Sequence, residues 1–394
     1  MFGLLLPLVY LSFVSLGLPD AMLGAAWPTL SVSLGKSIPD LGLVSMASTL
    51  GAAISSLVSG WLIHRFGTGR VLIASVFLTA LMLLLYSFAR SYAVVLLLTL
   101  PLGMGGGAVD AGLNGFVARN FEANHMSWLH FMWGVGATLG PLIIGFSLRV
   151  GTSWPGGYRL AALLQAILCA VLAFSLPLWR RAEHEDVAVS GERSHIRLKS
   201  VVRTPGLAFV MASFACFVGF ESTAGIWAAS FLEKQKGFEP VAAATFSSLY
   251  FLGTTLGRAA SGFIALKIDS RRQIRLGCLL AFLGALLLLL PLHRVFALAG
   301  YVLLGLGNAP IFPSLTFLTP RRFGFAISQA AIGLQMASAY LGSTLIPPLT
   351  GILVRAVSLK AVPYVILLFI VAGFFFSQMI DARIQRKPAG SQTL

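Results

Sequence analysis

Twelve mostly apolar stretches, each about 20 residues or longer, follow one another along this chain, and charged, Gly-rich or Pro-bearing joins separate them. Their approximate limits are 4–33, 39–64, 70–90, 92–119, 125–150, 158–180, 205–234, 240–267, 273–291, 294–319, 324–353 and 358–381. A helix rises about 1.5 Å per residue, so about 20 apolar residues match the roughly 30 Å hydrocarbon core of a bilayer. With 57% hydrophobic and only 10% charged residues in 394, the chain carries more apolar surface than a soluble domain can bury. The pattern predicts an all-α membrane protein of twelve transmembrane helices, with the lipid bilayer as its first partner.

Charge then sets orientation. A net charge of +15 could suit nucleic acid, but Lys and Arg punctuate the joins and form no basic stripe interleaved with aromatics, so no nucleic-acid partner is expected. With both termini cytoplasmic, the loops on their side and the tail carry 18 of the 28 Lys and Arg; the opposite loops carry 9, and Arg258 lies within a span. That asymmetry predicts a multi-pass protein of the cell inner (plasma) membrane with both ends inside. The leading apolar run has no basic start and continues for about 28 residues, roughly twice the apolar core of a secretory signal, so it reads as a retained first helix. Cys169, Cys216 and Cys278 lie singly in separate apolar runs and read as small packing residues. No metal or cofactor is expected.

The longest polar stretch, RRAEHEDVAVSGERSHIRLK from Arg180, falls near the middle of the chain. Sliding the sequence over itself by 202 residues sets Leu50-Gly51 on Leu252-Gly253, Ser59-Gly60 on Ser261-Gly262 and Arg70 on Arg272. The same shift sets Gly103 and Gly105 on Gly305 and Gly307, Arg119 on Arg321, and Leu139-Gly140 on Leu341-Gly342. The chain therefore divides into a six-helix bundle over 1–180, a cytoplasmic linker over 181–204, a pseudo-symmetric second bundle over 205–381 and a cytoplasmic tail over 382–394. A weaker echo links the first and seventh helices, where Asp20 precedes Trp27 by seven residues and Glu221 precedes Trp227 by six.

Three of the thirteen carboxylates, Asp20, Asp110 and Glu221, interrupt apolar segments. An ionised group inside a bilayer costs several kcal/mol, so each is expected to face the bundle interior and to serve a polar pathway. By helical rise Asp20 and Asp110 fall near the middle of their spans. Paired, buried carboxylates can take up and release protons, though a static hydrogen bond to a helix end or a Ser is the alternative. Pro19 and the glycines of the fourth helix favour local unwinding or close packing.

Two parallel six-helix repeats resemble the major facilitator superfamily over essentially the whole chain. The join after the second helix, Gly60-Trp-Leu-Ile-His64-Arg65-Phe-Gly67-Thr-Gly69-Arg70, resembles that family's loop signature, with His64 where an Asp is usual and Leu266 at the same place in the second copy. Arg65 and Arg70 remain as gating candidates. Within the superfamily the chain is similar to the fucose-permease-like branch of sugar:proton symporters. The segments carrying this are GGAVDAGLNGFVA, LHFMWGVGATLGPL, GFESTAGIWAASF, Leu256-Gly257-Arg258, GLGNAPIFPSL and LGSTLIPPLTG, in order on helices 4, 5, 7, 8, 10 and 11. The resemblance implies acidic residues in helices 1 and 4 for sugar binding and proton coupling, at Asp20 and Asp110, and a monomeric transport unit.

Around these acids the sequence offers a solute-binding set. Asn114, one turn from Asp110, brings a donor and an acceptor for a sugar hydroxyl. His130 could relay protons or bind solute, or rest against a backbone carbonyl. Trp27, Trp133 and Trp227 are the aromatic candidates, with interfacial anchoring as their alternative. Glu221 and Tyr250, with Asn308, Gln329 and Gln335, complete the expected wall, and Arg258 is expected to pair across helices and brace the inside gate. Asp20, Asp110, His130 and Glu221 are the proton-coupling candidates.

The leading expectation is alternating-access symport of a proton with a monosaccharide or similar small polar solute. A proton-driven exporter of drugs or metabolites is the nearest rival, since the same acids could drive it. A transport-inactive sensor would not need several buried ionisable groups. For a membrane enzyme the sequence offers no metal-spaced cluster, nucleotide loop or nucleophile constellation.

Overall fold

The computed structural model describes residues 2–121, 123–179, 204–264 and 267–385. All of the expected linker but Thr204, and most of the expected tail, fall outside them. The described chain is helical: α1 Phe2–Ser33, a 3-10 turn Ile38–Asp40, α2 Leu41–Phe66, α3 Thr68–Tyr86, α4 Tyr92–Asn120, α5 Ala123–Arg149, α6 Ser153–Phe174, α7 Leu207–Lys236, α8 Pro240–Phe246, α9 Ser248–Ile264, α10 Ser270–Leu289, α11 Val295–Asn308, α12 Ile311–Phe323, α13 Phe325–Ala356 and α14 Ala361–Gln385.

Eleven spans among the described residues are long and apolar enough to cross a bilayer, α11 and α12 counting together as Val295–Phe323. The stretch expected over 240–267 falls on α8 and α9, which are separated by Ser247 alone, and neither reaches that length. The break between α11 and α12 comes at Ala309-Pro310, where Pro310 has no N–H to continue the ladder. Conversely, α1 runs unbroken through Pro7, Pro19 and Pro28, so the unwinding considered at Pro19 does not occur. Local signals set several ends. Gly237, at φ +68°, turns the chain so that Phe238 N donates to Leu232 O at 3.1 Å and closes α7. Asp269 caps α10 by accepting from Arg271 N at 3.1 Å.

α1 packs along α5, α2 along α4, and α3 against α4 and α6; later in the chain α7 packs along α13 and α14, and α11 along α9 and α10. Between the earlier and later helices, α5 meets α8 and α9, α2 meets α13, and α1 meets α7. Many of the tight helix contacts are backbone on backbone at glycines, and several recur at the interval read from the sequence. A Cβ on Gly51 would strike Leu100 O, and one on Gly253 would strike Val302 O. Gly103 lies against Ser48 O and Gly305 against Tyr250 O; Gly105 lies against Ser75 O and Gly307 against Gly277 O. In each pair both partners shift by 202 residues, so the repeated Gly positions mark repeated contacts between helices. α1 and α7 keep a different interval: Gly140 lies on Leu18 O and Gly342 on Ala215 O, an offset of 197 for the contacted residues. Asp20 and Glu221 are therefore not repeat counterparts, and neither are Trp27 and Trp227.

Candidate functional site

Asp20 lies 13 residues before the end of α1, and its side chain is exposed although the helix around it is apolar. Gly17, one turn earlier, lets α1 lie directly on the backbone of Trp133 in α5. That contact brings the Trp133 indole over the carboxylate, and Trp133 Nε1 donates to Asp20 Oδ2 at 2.9 Å. A face of the ring is covered by Arg258 of α9, whose guanidinium carbon stands 5.0 Å from the ring centroid. Arg258 in turn holds Glu221 of α7 at 3.3 Å and donates to His130 O of α5 at 3.2 Å. Asp20, Trp133, Arg258 and Glu221 thus form one chain of contacts that passes from the earlier helices to the later ones. The His130 ring is packed between Phe13 and Phe312, at centroid distances of 5.9 and 6.3 Å.

Asp110 stands within electrostatic reach of Asp20 and anchors a second cluster. Its Oδ1 accepts from Asn114 Nδ2 at 2.8 Å, and the same nitrogen reaches Asp110 O at 3.0 Å. The Asn114 oxygen accepts no hydrogen bond among the described residues. Oδ2 accepts from the hydroxyl of Tyr340 in α13 at 3.1 Å. Tyr340 was not among the residues expected from the sequence. Its only signals are that it is the one tyrosine of its apolar stretch and that it lies two residues before Gly342 of the repeat.

Behind Glu221 and Arg258, Tyr250 of α9 is fully buried, within electrostatic reach of both, and accepts from Asn308 Nδ2 at 3.4 Å. Other expected residues stand apart from these clusters in this conformation. Trp27 is 0% exposed and spends its N–H on Ile38 O at 2.9 Å, so it offers no free donor. Trp227 is likewise 0% exposed, packed by Gly351, with no hydrogen-bond partner for its indole N–H among the described residues. Gln335 is buried and donates to Thr319 Oγ1 at 2.6 Å, in the seam between α13 and α12. The side chain of Gln329 lies outside the described residues. Arg65 and Arg70 are exposed near the α2–α3 join, with Arg65 over Trp61 and Phe66 at 5.5 Å from each ring. Arg258 pairs across helices, as expected, but with the central Glu221 and not with the groups of that join.

Where residues 34–40 lie, the earlier and later helices close against each other. Arg355 of α13 pairs with Asp40, Tyr92 Oη donates to Asp40 O at 2.9 Å, and the Lys36 ammonium stands 5.2 Å from the centre of the Tyr92 ring. Here earlier and later helices touch through backbone: a Cβ on Gly24 would stand 2.6 Å from Ile226 O, one on Gly42 2.8 Å from the Pro348 Cα, and one on Gly351 2.8 Å from Pro39 O.

A multi-span helical protein in which exposed and half-buried charged and aromatic side chains link the earlier helices to the later ones has the build of a solute transporter. The chain belongs to the Major Facilitator Superfamily, whose family model matches residues 9–328, a family of transporters and not of enzymes. It is 23% identical over 390 residues to Bypass of stop codon protein 6 of Saccharomyces cerevisiae, covering 89% of this chain and 77% of that one. It is 21% identical over 347 residues to the glucose/mannose transporter GlcP of Bacillus subtilis, covering 87% and 86%. Among solved structures, a mutant of the nucleoside transporter NupG superposes with a TM-score of 0.77 at 15% identity, covering 95% of this chain and 98% of that chain, a likeness of fold.

Proposed function

We propose that this protein is a proton-coupled symporter of a monosaccharide or similar small polar solute, working by alternating access as a monomer in the cell inner (plasma) membrane. The observation that carries the reading is Asp20: an exposed carboxylate in the middle of an apolar span, held by one indole N–H and within electrostatic reach of a second carboxylate. A carboxylate left exposed and only partly bonded can exchange a proton, which a fully bonded structural acid cannot do readily. In this reading 1–180 and 205–381 are the two six-helix halves that rock against each other, α8 and α9 together making the eighth of twelve crossings. With both ends of the chain cytoplasmic, the closed end faces outward and the middle opens to the inside.

The roles follow from the contacts. Asp20 and Asp110 carry the coupling proton, with His130 and Glu221 as neighbouring titratable groups. Trp133 offers a face to the C–H side of a sugar ring, and the Asn114 oxygen accepts from a hydroxyl. Glu221, Arg258, Tyr250 and Asn308 form the far wall, and Arg65 and Arg70 act at the inside gate. The relative named a glucose/mannose transporter supports a sugar as solute. Purified protein in proteoliposomes tests this against a panel of labelled monosaccharides. A pH gradient, acid outside, is expected to drive accumulation of at least one sugar beyond its equilibrium level, and a sodium gradient alone is not. No accumulation of any sugar under the pH gradient would overturn the reading.

A further inference from the structure

We propose that Tyr340 is a positioning residue that ties the movement of α13 to the charge on Asp110. This deepens the proton-coupled reading and rests on it. The Tyr340 hydroxyl donates to Asp110 Oδ2 at 3.1 Å and lies 3.2 Å from Ser56 Oγ of α2, while Ser56 Oγ donates to Gly107 O of α4 at 3.0 Å. One hydroxyl therefore joins α13, from the later part of the chain, to α2 and α4 from the earlier part. These are surfaces that have to separate if the two parts rock.

Hydrogen counting makes the junction sensitive to a proton. An ionised carboxylate only accepts. Asp110 Oδ1 is taken by Asn114, so the single hydrogen of Tyr340 is directed to Oδ2 in a charge-assisted bond, about twice as strong as a neutral one. When Oδ2 takes up a proton, two hydrogens would face each other. Tyr340 then turns its own hydrogen toward Ser56, whose oxygen is free to accept because its hydrogen is on Gly107 O, and receives a neutral bond from Asp110 in return. The link between α13 and α4 loses its charge assistance, and α13 is released to move.

The groups around Asp110 leave few competitors for this role. Asp20 comes from α1, within electrostatic reach. α2 presents Ser56, and Asn114 belongs to α4 itself. α3 has no carboxylate or basic group beyond Arg70 in its first turn. From α5, Trp133 is engaged with Asp20 and Arg258, and the His130 ring with Phe13 and Phe312.

The test uses the full chain in lipid nanodiscs, with Cys169, Cys216 and Cys278 replaced by Ala and spin labels on His64→Cys and Gly333→Cys. Both label sites are exposed, on α2 and α13, and a Cβ at Gly333 meets open space. Pulsed electron paramagnetic resonance then reads the α2–α13 distance distribution at acidic and at alkaline pH. The otherwise unsubstituted protein is expected to change its distribution with pH. Tyr340→Phe, which keeps the ring, is expected to lose that change and to hold the acid-like distribution throughout; so are Asp110→Asn and the Tyr340→Phe/Asp110→Asn double variant. Tyr340→Leu, which removes the hydroxyl with a different packing change, is expected to give the same flat response. A full pH response in Tyr340→Phe, alongside a flat one in Asp110→Asn, would overturn the role of Tyr340 and leave proton coupling standing. A flat response without either substitution would overturn both.

Discussion

The closed end and the middle of the molecule use the same helices in opposite ways. At the closed end α1 and α7, and α2 and α13, meet backbone to backbone through Gly24, Gly42 and Gly351, and the polar groups there are bonded locally: Trp27 to Ile38, Tyr92 to Asp40, Asp40 to Arg355. In the middle the contact between α2, α4 and α13 runs through side chains, Tyr340 to Ser56 and Asp110, and bonding is incomplete: Asp20 is exposed, and the Asn114 oxygen accepts no hydrogen bond among the described residues. Close packing seals without leaving a site, and incomplete bonding leaves a site without sealing. A carrier that opens alternately needs both, on surfaces that part and re-form.

That contrast is broken most severely by glycine substitutions chosen on either side of it. A Cβ at Gly136 meets Val14 O inside the α1–α5 contact, between helices that move together in this account, and nothing nearby can give way cheaply. Gly136→Val is therefore expected to destabilise the fold by about 3 kcal/mol or more, seen as a large drop in thermal unfolding temperature. Gly24→Val strikes Ile226 O across surfaces that separate in this account. It is expected to leave the unfolding temperature nearly unchanged while disfavouring the closed end, read as faster labelling of a cysteine placed at Leu30 beneath it. An equal loss of stability in the two variants would erase the distinction between contacts that persist and contacts that part.

Two tryptophans sharpen the comparison at smaller scale. Trp133→Phe removes the donor to Asp20 and part of the face over Arg258, and is expected to weaken solute binding about tenfold, about 1.4 kcal/mol, by isothermal titration. Trp27→Phe removes a donor whose acceptor is Ile38 O, and is expected to leave affinity within about twofold, since its bond contributes about 1 kcal/mol to the closed end and nothing to the site. If affinity fell equally in both, Trp27 would belong to the binding surface after all. The smallest effect is expected from Arg355→Gln. Its partner Asp40 is held by Ser37 and Tyr92 as well, and Arg355 is 65% exposed, so the pair is worth under about 1 kcal/mol and transport should change less than about threefold.

Much of the frame was legible in the sequence because bilayer thickness imposes it. Spans, joins and the 202-residue repeat follow from apolar length and from glycines where helix backbones meet. The three carboxylates were legible because charge in an apolar span is costly enough to be informative alone. What escaped depends on direction and pairing across the fold. Nothing beside Ser247 marks the gap between α8 and α9, since the nearest proline, Pro240, sits where it starts a helix. Trp27 and Trp227 were expected to line the cavity with Trp133, but periodicity does not say which wall a ring faces when helices pack on several sides. Tyr340 escaped because its partner lies 230 residues away, and a lone tyrosine in an apolar helix carries no spacing signal. The echo between Asp20 and Glu221 misled because α1 and α7 keep their own interval, which only the contacts reveal.

The central claim is that a carboxylate in the middle carries the proton that drives the solute, and Asp110→Asn tests it most directly. The amide matches the protonated acid in shape and polarity but cannot lose a proton. In a symporter the empty carrier returns only after releasing the proton, whereas exchange of loaded carriers needs no release. Asp110→Asn in proteoliposomes is therefore expected to lose proton-driven accumulation, by about tenfold or more, while keeping solute counterflow close to that of the unsubstituted protein. Undiminished accumulation by Asp110→Asn under a pH gradient would contradict the account and move the coupling site to Asp20 or His130.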